Sequence, residues 1–275
     1  MHILVTNDDG IDSPGLHALK RALDPLGEVS VIAPNINRSA IARSITIRRP
    51  LEVEEVALPD GSHGYATDGT PVDCVRFAVL GLLGAQPDLI VSGINLGLNL
   101  GDDVTYSGTV AAALEGVLLG WPSIAVSQQA ANGEHWDSGR AEYDFAAVAA
   151  FVARLVPLAV RERFPRDVLL NVNAPGLAAR DLAGVRITRL GRRIYNDRLE
   201  LISGDGPRRR YRIYGDDPSH HREDGTDFAA VEDGLISVTP LHFDLTDMAG
   251  MDALERMELS NVLAGELAIG PDAGR

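Results

Sequence analysis

The chain has 275 residues, 45% of them hydrophobic and 23% charged, a balance that excludes collagen-like, coiled-coil and disordered chains. Its formal net charge of −14 disfavours general attraction to a nucleic-acid backbone, which needs a basic footprint, so no duplex partner is expected. The single cysteine, Cys74, excludes an internal disulfide and a cysteine-rich zinc site. The longest apolar stretch, Val110 to Val126, is broken by Glu115 and Pro122. No bilayer span and no membrane partner are therefore expected. The first residues turn acidic at Asp8 and Asp9, unlike a signal peptide, and the expected address is cytoplasmic.

Ile3 to Thr6 reads as a buried strand, and Asn7-Asp8-Asp9-Gly10 as the loop after it. Leu16, Leu19, Leu23 and Leu26 recur at helical spacing behind a Ser13-Pro14 start. Val29 to Ala33 is a second strand, which completes a β-α-β unit with a right-handed crossover. Ile45 to Ile47 and Leu51 to Val56 read as an antiparallel edge pair. A helix is predicted from Asp68-Gly69-Thr70-Pro71 to about Leu83, with Val75, Phe77, Val79 and Leu82 as core residues. Leu89 to Val91 is a strand, and a glycine-rich loop spans Gly93 to Gly108. A helix over Thr109 to Leu119, a strand over Ser123 to Ser127, a helix over Tyr143 to Val160 and a strand over Val168 to Val172 follow. This alternation predicts an α/β fold, a Rossmann-like three-layer, doubly wound and mostly parallel sheet. Beyond about Leu182 the pattern changes. Arg186 to Tyr214 is arginine-rich and reads as a projecting β-hairpin arm for oligomerisation. A strand over Leu235 to Thr239, ended by Pro240, and a helix over Met251 to Leu263 close the chain. The expected organisation is one domain over 1–275, with a core to about 184 and an arm and C-terminal segment over 185–275.

The chemistry gathers at one edge. Asp8 and Asp9 stand just past the carboxyl end of the first strand, where open α/β sheets bind ligands. Adjacent carboxylates in a dry site raise each other's pKa, and a divalent cation is the simplest compensation. Oxygen ligands favour Mg²⁺, Mn²⁺ or Ca²⁺. The plain alternative is a turn with Asp8 on local backbone and Asp9 in water. Ser39, in Asn37-Arg38-Ser39-Ala40 after the second strand, lies at the same edge, with Arg38 and Arg43 beside it as possible anion contacts. In Ser92 to Asp103 glycines recur every four residues, with Asn95 and Asn99 between them. Neither a P-loop nor a dinucleotide fingerprint matches this loop. Tyr106-Ser107-Gly108-Thr109 opens a helix. Its unpaired N–H groups and hydroxyls offer an anion site or simple N-caps. The histidines make no metal pattern, with His220 and His221 read as surface residues. Cys74 reads as buried and inert, and no serine-hydrolase elbow is present.

Taken in order, Asn7-Asp8-Asp9-Gly10, Arg38-Ser39-Ala40, Asp68-Gly69-Thr70-Pro71, Val91-Ser92-Gly93-Ile94-Asn95, Tyr106-Ser107-Gly108-Thr109, Asn171-Val172-Asn173, Thr226-Asp227 and Ser237-Val238-Thr239-Pro240-Leu241 resemble the SurE family over nearly the whole chain. The resemblance implies a metal-dependent phosphatase of nucleoside 5′-monophosphates, with 3′-monophosphates and short polyphosphate as further substrates. It implies one divalent ion per subunit, Mg²⁺ or Mn²⁺, on Asp8, Asp9, Ser39 and Asn95, with Asp8 and Asp9 also catalytic. The backbone N–H groups of Ser107, Gly108 and Thr109, with the side chain of Asn99, are the expected phosphate contacts. A homodimer or homotetramer built through the C-terminal arm is implied as well. The rival classes are a dinucleotide-dependent α/β enzyme and a nucleotide-binding protein without turnover.

Overall fold

The computed structural model describes residues 1–134, 138–161, 165, 167–213, 219–257 and 259. The chain forms two compact units, Met1–His242 and Phe243–Arg275. In the first, the elements run β1 (His2–Thr6), α1 (Pro14–Leu23), β2 (Glu28–Pro34), β3 (Val53–Ala57), β4 (His63–Thr67), α2 (Pro71–Val79), β5 (Leu89–Leu96), α3 (Gly108–Leu118), β6 (Ser123–Gln128), α4 (Ala146–Arg161) and β7 (Val168–Ala174). Then come β8 (Gly184–Ile187), β9 (Arg193–Ile194), β10 (Glu200–Ser203), β11 (Arg210–Arg212), β12 (Ser219–His220), α5 (Asp227–Glu232) and β13 (Leu235–His242). The second unit contains α6 (Met248–Arg256); it starts three residues before the predicted Met251, and 260–263 lie outside the described residues.

Nine strands make one sheet, in the order β3-β4-β2-β1-β5-β6-β7-β13-β8. All neighbours are parallel except β3 with β4 and β7 with β13. The period-2 geometry of a strand explains the three layers. In β1, Ile3 and Val5 pack with Leu16, Leu19 and Leu23 of α1 and Val148, Val152 and Val156 of α4. Leu4 points the other way, onto Cys74, Val75 and Ala78 of α2 and Ala112 of α3. Cys74 is fully buried, and burial pushes its thiol pKa up, so it is unreactive as expected. The direction of strand succession reverses at β1, with β2 on one side and β5 on the other. That makes the crevice at their carboxyl ends the switch point of the sheet. Among the described residues no helix is long and apolar enough to cross a membrane.

Several expected boundaries move. The antiparallel edge pair is β3 with β4; Ile45 to Ile47 is irregular, because Ile45 and Ile47 are exposed and have no apolar face to bury. The helix predicted to Leu83 stops at Val79, and Leu82 is exposed. Its start is firm, for Thr70 and Asp73 cap each other's backbone with Pro71 in the first turn. The predicted long helix begins at Ala146 rather than Tyr143. The sheet continues past residue 184 through β8 and β13. Pro240 lies inside β13 instead of ending it. Pairing with β8 reaches only Val238, so Pro240 sits where β13 has become an edge and needs no second ladder bond. The arginine-rich stretch does contain an antiparallel hairpin, β10 with β11, all exposed; Tyr214 lies outside the described residues. His220 is no plain surface residue, since it stacks on Phe228 at 4.5 Å and pairs with Glu232 at 3.2 Å.

Candidate active site

Asp8, Ser39, Asn95, Asn99 and Ser107 line one cavity of about 430 Å³ at the switch point, within the roughly 300–1,000 Å³ range of small-molecule sites. Asp8 follows β1, Ser39 follows β2, and Asn95 lies near the end of β5. Asp9 joins the group through the lining residue Leu96, whose N–H donates to its Oδ2 at 3.0 Å. The turn that presents both carboxylates is closed by Asn7, which donates to Gly10 O at 2.9 Å and accepts from Gly10 N at 3.1 Å. The loop bearing Ser39 is tied to it by Arg38 N donating to Asp8 O at 2.6 Å.

Asp8 is buried at the N-terminus of α3. Burial raises its pKa; the Thr109 hydroxyl, donating to Oδ1 at 2.5 Å, and nearby backbone N–H groups of Thr109 and Gly108 oppose that rise. Burial and then the charge of Asp8 push Asp9 up to about 7. Among the described residues no Lys or Arg pairs with either carboxylate. Lys20, the only lysine, is held by Asp24 at 3.1 Å and Asp60 at 2.7 Å. A buried acidic pair with no cationic partner is electrostatically incomplete, and a divalent cation would complete it.

The donor set suits a hard ion. Asn95 spends its amide Nδ2 on Gly97 O at 2.9 Å, which leaves Oδ1 as an acceptor. With the Ser39 hydroxyl and two carboxylates the set is all oxygen. No cluster of three or more His, Cys, Asp and Glu occurs among the described residues. Oxygen ligands of this kind fit Mg²⁺ or Mn²⁺ better than zinc.

The expected phosphate contacts divide. Ser107 Oγ caps α3 by accepting from Val110 N at 3.0 Å, so its O–H is still available to an anion in the cavity. Asn99 gives one amide hydrogen to Ser127 at 2.8 Å. Thr109 is fully buried, with its hydroxyl committed to Asp8. Gly108 backs onto the same carboxylate; a Cβ there would lie 2.7 Å from Asp8 Cβ and 2.8 Å from Oδ2. The helix N-terminus thus meets a protein carboxylate, the anion it favours electrostatically. Gly108→Ala is expected to displace Asp8 and weaken Mn²⁺ binding at least about tenfold, as a titration of the purified variant would show.

The glycine-rich loop is held, not slack. Asn99 N donates to Asn173 Oδ1 at 2.8 Å, and Asn171 and Asn173 both donate to Asn99 O, at 2.9 and 3.1 Å. Asp227 accepts from Gly101 N at 2.7 Å and Gly191 N at 2.8 Å. These contacts explain what the Asn171-Val172-Asn173 and Thr226-Asp227 motifs do. Arg38 and Arg43, expected near an anion, turn to protein partners: Arg38 donates to Asp68 O at 2.9 Å, and Arg43 pairs with Glu115. Two further lining residues, Arg193 and Tyr143, carry no sequence signal of their own. Arg193 is spent on Asp103 (Nε to Oδ2, 2.8 Å) and lies over the Phe228 ring at 4.7 Å. The Tyr143 phenol is pushed up to about 12 by burial and then by Asp9.

The family model described as "Survival protein SurE" matches residues 3–197. The chain belongs to the SurE family. It is 52% identical over 264 residues to the 5′-nucleotidase SurE of Rubrobacter xylanophilus, covering 96% of this chain and 99% of that one. It is 49% identical over 261 residues to the 5′-nucleotidase SurE of Chloroflexus aggregans, covering 94% and 99%. Among solved structures, the SurE protein from Aquifex aeolicus superposes with a TM-score of 0.78 at 38% identity, over 94% of this chain and 100% of that one. The span matched by the SurE family model includes the Asn99 loop and its Asn171 and Asn173 supports.

Proposed function

We propose that this SurE chain is a divalent-metal-dependent phosphatase that hydrolyses nucleoside 5′-monophosphates to nucleoside and inorganic phosphate. The observation that carries this reading is the convergence of Asp8, Asp9, Ser39 and Asn95 at one switch-point cavity, with no Lys or Arg on the acidic pair among the described residues. The curated relatives bear the name 5′-nucleotidase, which supports the substrate class.

In this reading Asp8, Asp9, Ser39 and Asn95 hold one Mg²⁺ or Mn²⁺. When bound, such an ion supplies positive charge that neutralises the phosphoryl oxygens and polarises phosphorus. The chain does the positioning. Thr109 and the first N–H groups of α3 hold Asp8, and Leu96 N holds Asp9. Ser107 directs a hydroxyl donor at a phosphoryl oxygen, and Asn99 lines the wall beside it. Water attacks phosphorus, the bond to the nucleoside oxygen breaks, and that oxygen takes up a proton. Because recognition centres on the phosphoryl group, 3′-monophosphates and short polyphosphate are proposed as secondary substrates. The exposed β10–β11 hairpin carries Leu201, Ile202 and Tyr211 on its surface, which supports a homodimer or homotetramer built through this arm. A cytoplasmic address fits a nucleotide substrate.

The test is phosphate release from nucleoside 5′-monophosphates. Release is expected to stop after EDTA treatment and to return with Mn²⁺ or Mg²⁺. Release that survives exhaustive chelation would overturn the metal dependence. No release from the folded, metal-supplemented protein would overturn the activity.

A further inference from the structure

Glu115 is a buried acid that the proposed chemistry does not use. It is fully buried on α3, and its two oxygens meet two arginines from different parts of the chain. Arg43 Nη2 pairs with Oε2, and Arg76 Nη2 lies 2.6 Å from Oε1. Arg76 belongs to α2. Arg43 belongs to the connection between β2 and β3, which has no regular secondary structure from Asn35 to Glu52 and carries Ser39. A stretch this long needs explicit anchors to present one side chain reproducibly.

The anchors bracket Ser39. On one side Arg38 N donates to Asp8 O. On the other, Ala42 N donates to Tyr106 O at 3.0 Å, and Thr70 Oγ1 donates to Ser44 O at 2.8 Å. Between them Ala40 and Ala42 are left-handed, at φ 57° and 55°. Such a conformation is costly for alanine and persists only where the surroundings hold it. A charged anchor of this bracket, the Arg43–Glu115 pair, has its acid buried in the helix that also grips Asp8 through Thr109.

We propose that Glu115, acting through Arg43, is a positioning residue that sets Ser39 against Asp8 and Asn95 in the cation site. The proposal rests on the reading of those residues as cation ligands. α3 then organises the site twice: its first turn orients Asp8, and its middle fixes the reach of the Ser39 loop. Glu115 does not touch substrate or cation, and its effect is read through Ser39.

The experiment measures Mn²⁺ affinity of the full-length protein by electron paramagnetic resonance, alongside melting of the metal-free protein. Arg43→Met keeps the aliphatic stem and removes the charge. It is expected to weaken Mn²⁺ binding about tenfold, the usual scale for groups that orient a ligand, and also to lower the melting point, because the fully buried Glu115 loses one of its two arginines; affinity is therefore read well below melting, where the variant is folded. In a Ser39→Ala background the same substitution is expected to add nothing. Glu115→Gln is expected to weaken binding similarly, and without additivity to Arg43→Met; should it fail to fold, Arg43→Met still decides. Wild-type affinity in Arg43→Met, or an undiminished effect in the Ser39→Ala background, would overturn the proposal while leaving the ligand set standing. Wild-type affinity in Ser39→Ala would overturn the ligand set, and the proposal with it.

Discussion

Asp8→Asn and Asp9→Asn are each expected to lower phosphate release at least about a thousandfold, a loss of about 4 kcal/mol of transition-state stabilisation, while raising the melting temperature of the metal-free protein. The two effects share one cause. Burial raises the pKa of Asp8, and burial together with the Asp8 charge raises that of Asp9 to about 7. A carboxyl whose folded value lies above its unfolded value contributes stability below the unfolded value, near pH 4, and loses it as pH rises through the folded value. For Asp9 that window runs from about pH 4 to about pH 7. At pH 8 Asp9 is therefore ionised in a buried site beside a second buried carboxyl, with no Lys or Arg paired to either among the described residues; an amide at position 9 removes that cost, and an amide at position 8 removes the neighbour that raises it. In the proposed function the same substitution also removes an anionic ligand of the cation, so cation binding and turnover are expected to be lost. Melting scans at pH 5 and pH 8, with EDTA and with Mn²⁺, check both halves. Stabilisation is expected chiefly at pH 8 with EDTA and should vanish at pH 5. An Asn variant that melts below the wild type at pH 8 in EDTA would contradict the electrostatic account.

Glu115→Ala is expected to be the most destabilising of the single changes considered, by about 3 kcal/mol in denaturant unfolding, the low end for removing one partner of a buried ion pair. The carboxylate is fully buried, but its partners are not: the side chains of Arg43 and Arg76 are 35% and 44% exposed. When the acid is gone, both guanidinium groups can turn toward water, which lowers the penalty of leaving charges unpaired. What remains is the lost pairing and the small void left where the buried side chain met Arg43 and Arg76. Glu115→Leu should recover part of the loss, because an apolar side chain of similar volume fills the void without a charge to solvate. A Leu variant less stable than the Ala variant would mean that the site cannot repack around an apolar group.

The legible part of this protein was local. Ile3 to Thr6 and Leu89 to Val91 announce strands because β-branched and aliphatic residues crowd into short runs. Thr70-Pro71 with Asp73 announces a helix start because the cap is built from residues three apart. Once β and α alternate, chain order alone sends the residues after β1, β2 and β5 to one edge of a parallel sheet. This is why Asp8, Asp9, Ser39 and Asn95 could be grouped before any coordinates. Boundaries failed where local pattern and burial part company. Ile45 and Ile47 look strand-like but have no buried face. Pro240 looks like a stop but lies where a neighbouring strand has already ended.

Sequence by itself determined the fold class, the carboxyl-edge grouping of Asp8, Asp9, Ser39 and Asn95, the inert cysteine and the lack of a dinucleotide fingerprint, because each depends on residues a few positions apart or on strand order. Tertiary structure alone decided which groups satisfy which. Thr109 faces Asp8 across 101 positions, Glu115 meets Arg43 across 72, and Asp227 holds Gly101 across 126. A hydroxyl at a helix start carries no local mark of whether it will meet a phosphate or a buried carboxylate. A glutamate in an alanine-rich helix is visibly out of place, but nothing near it in the chain names the arginines it will bind. Those assignments are made only when packing removes water and each buried polar group must find a partner within hydrogen-bond reach.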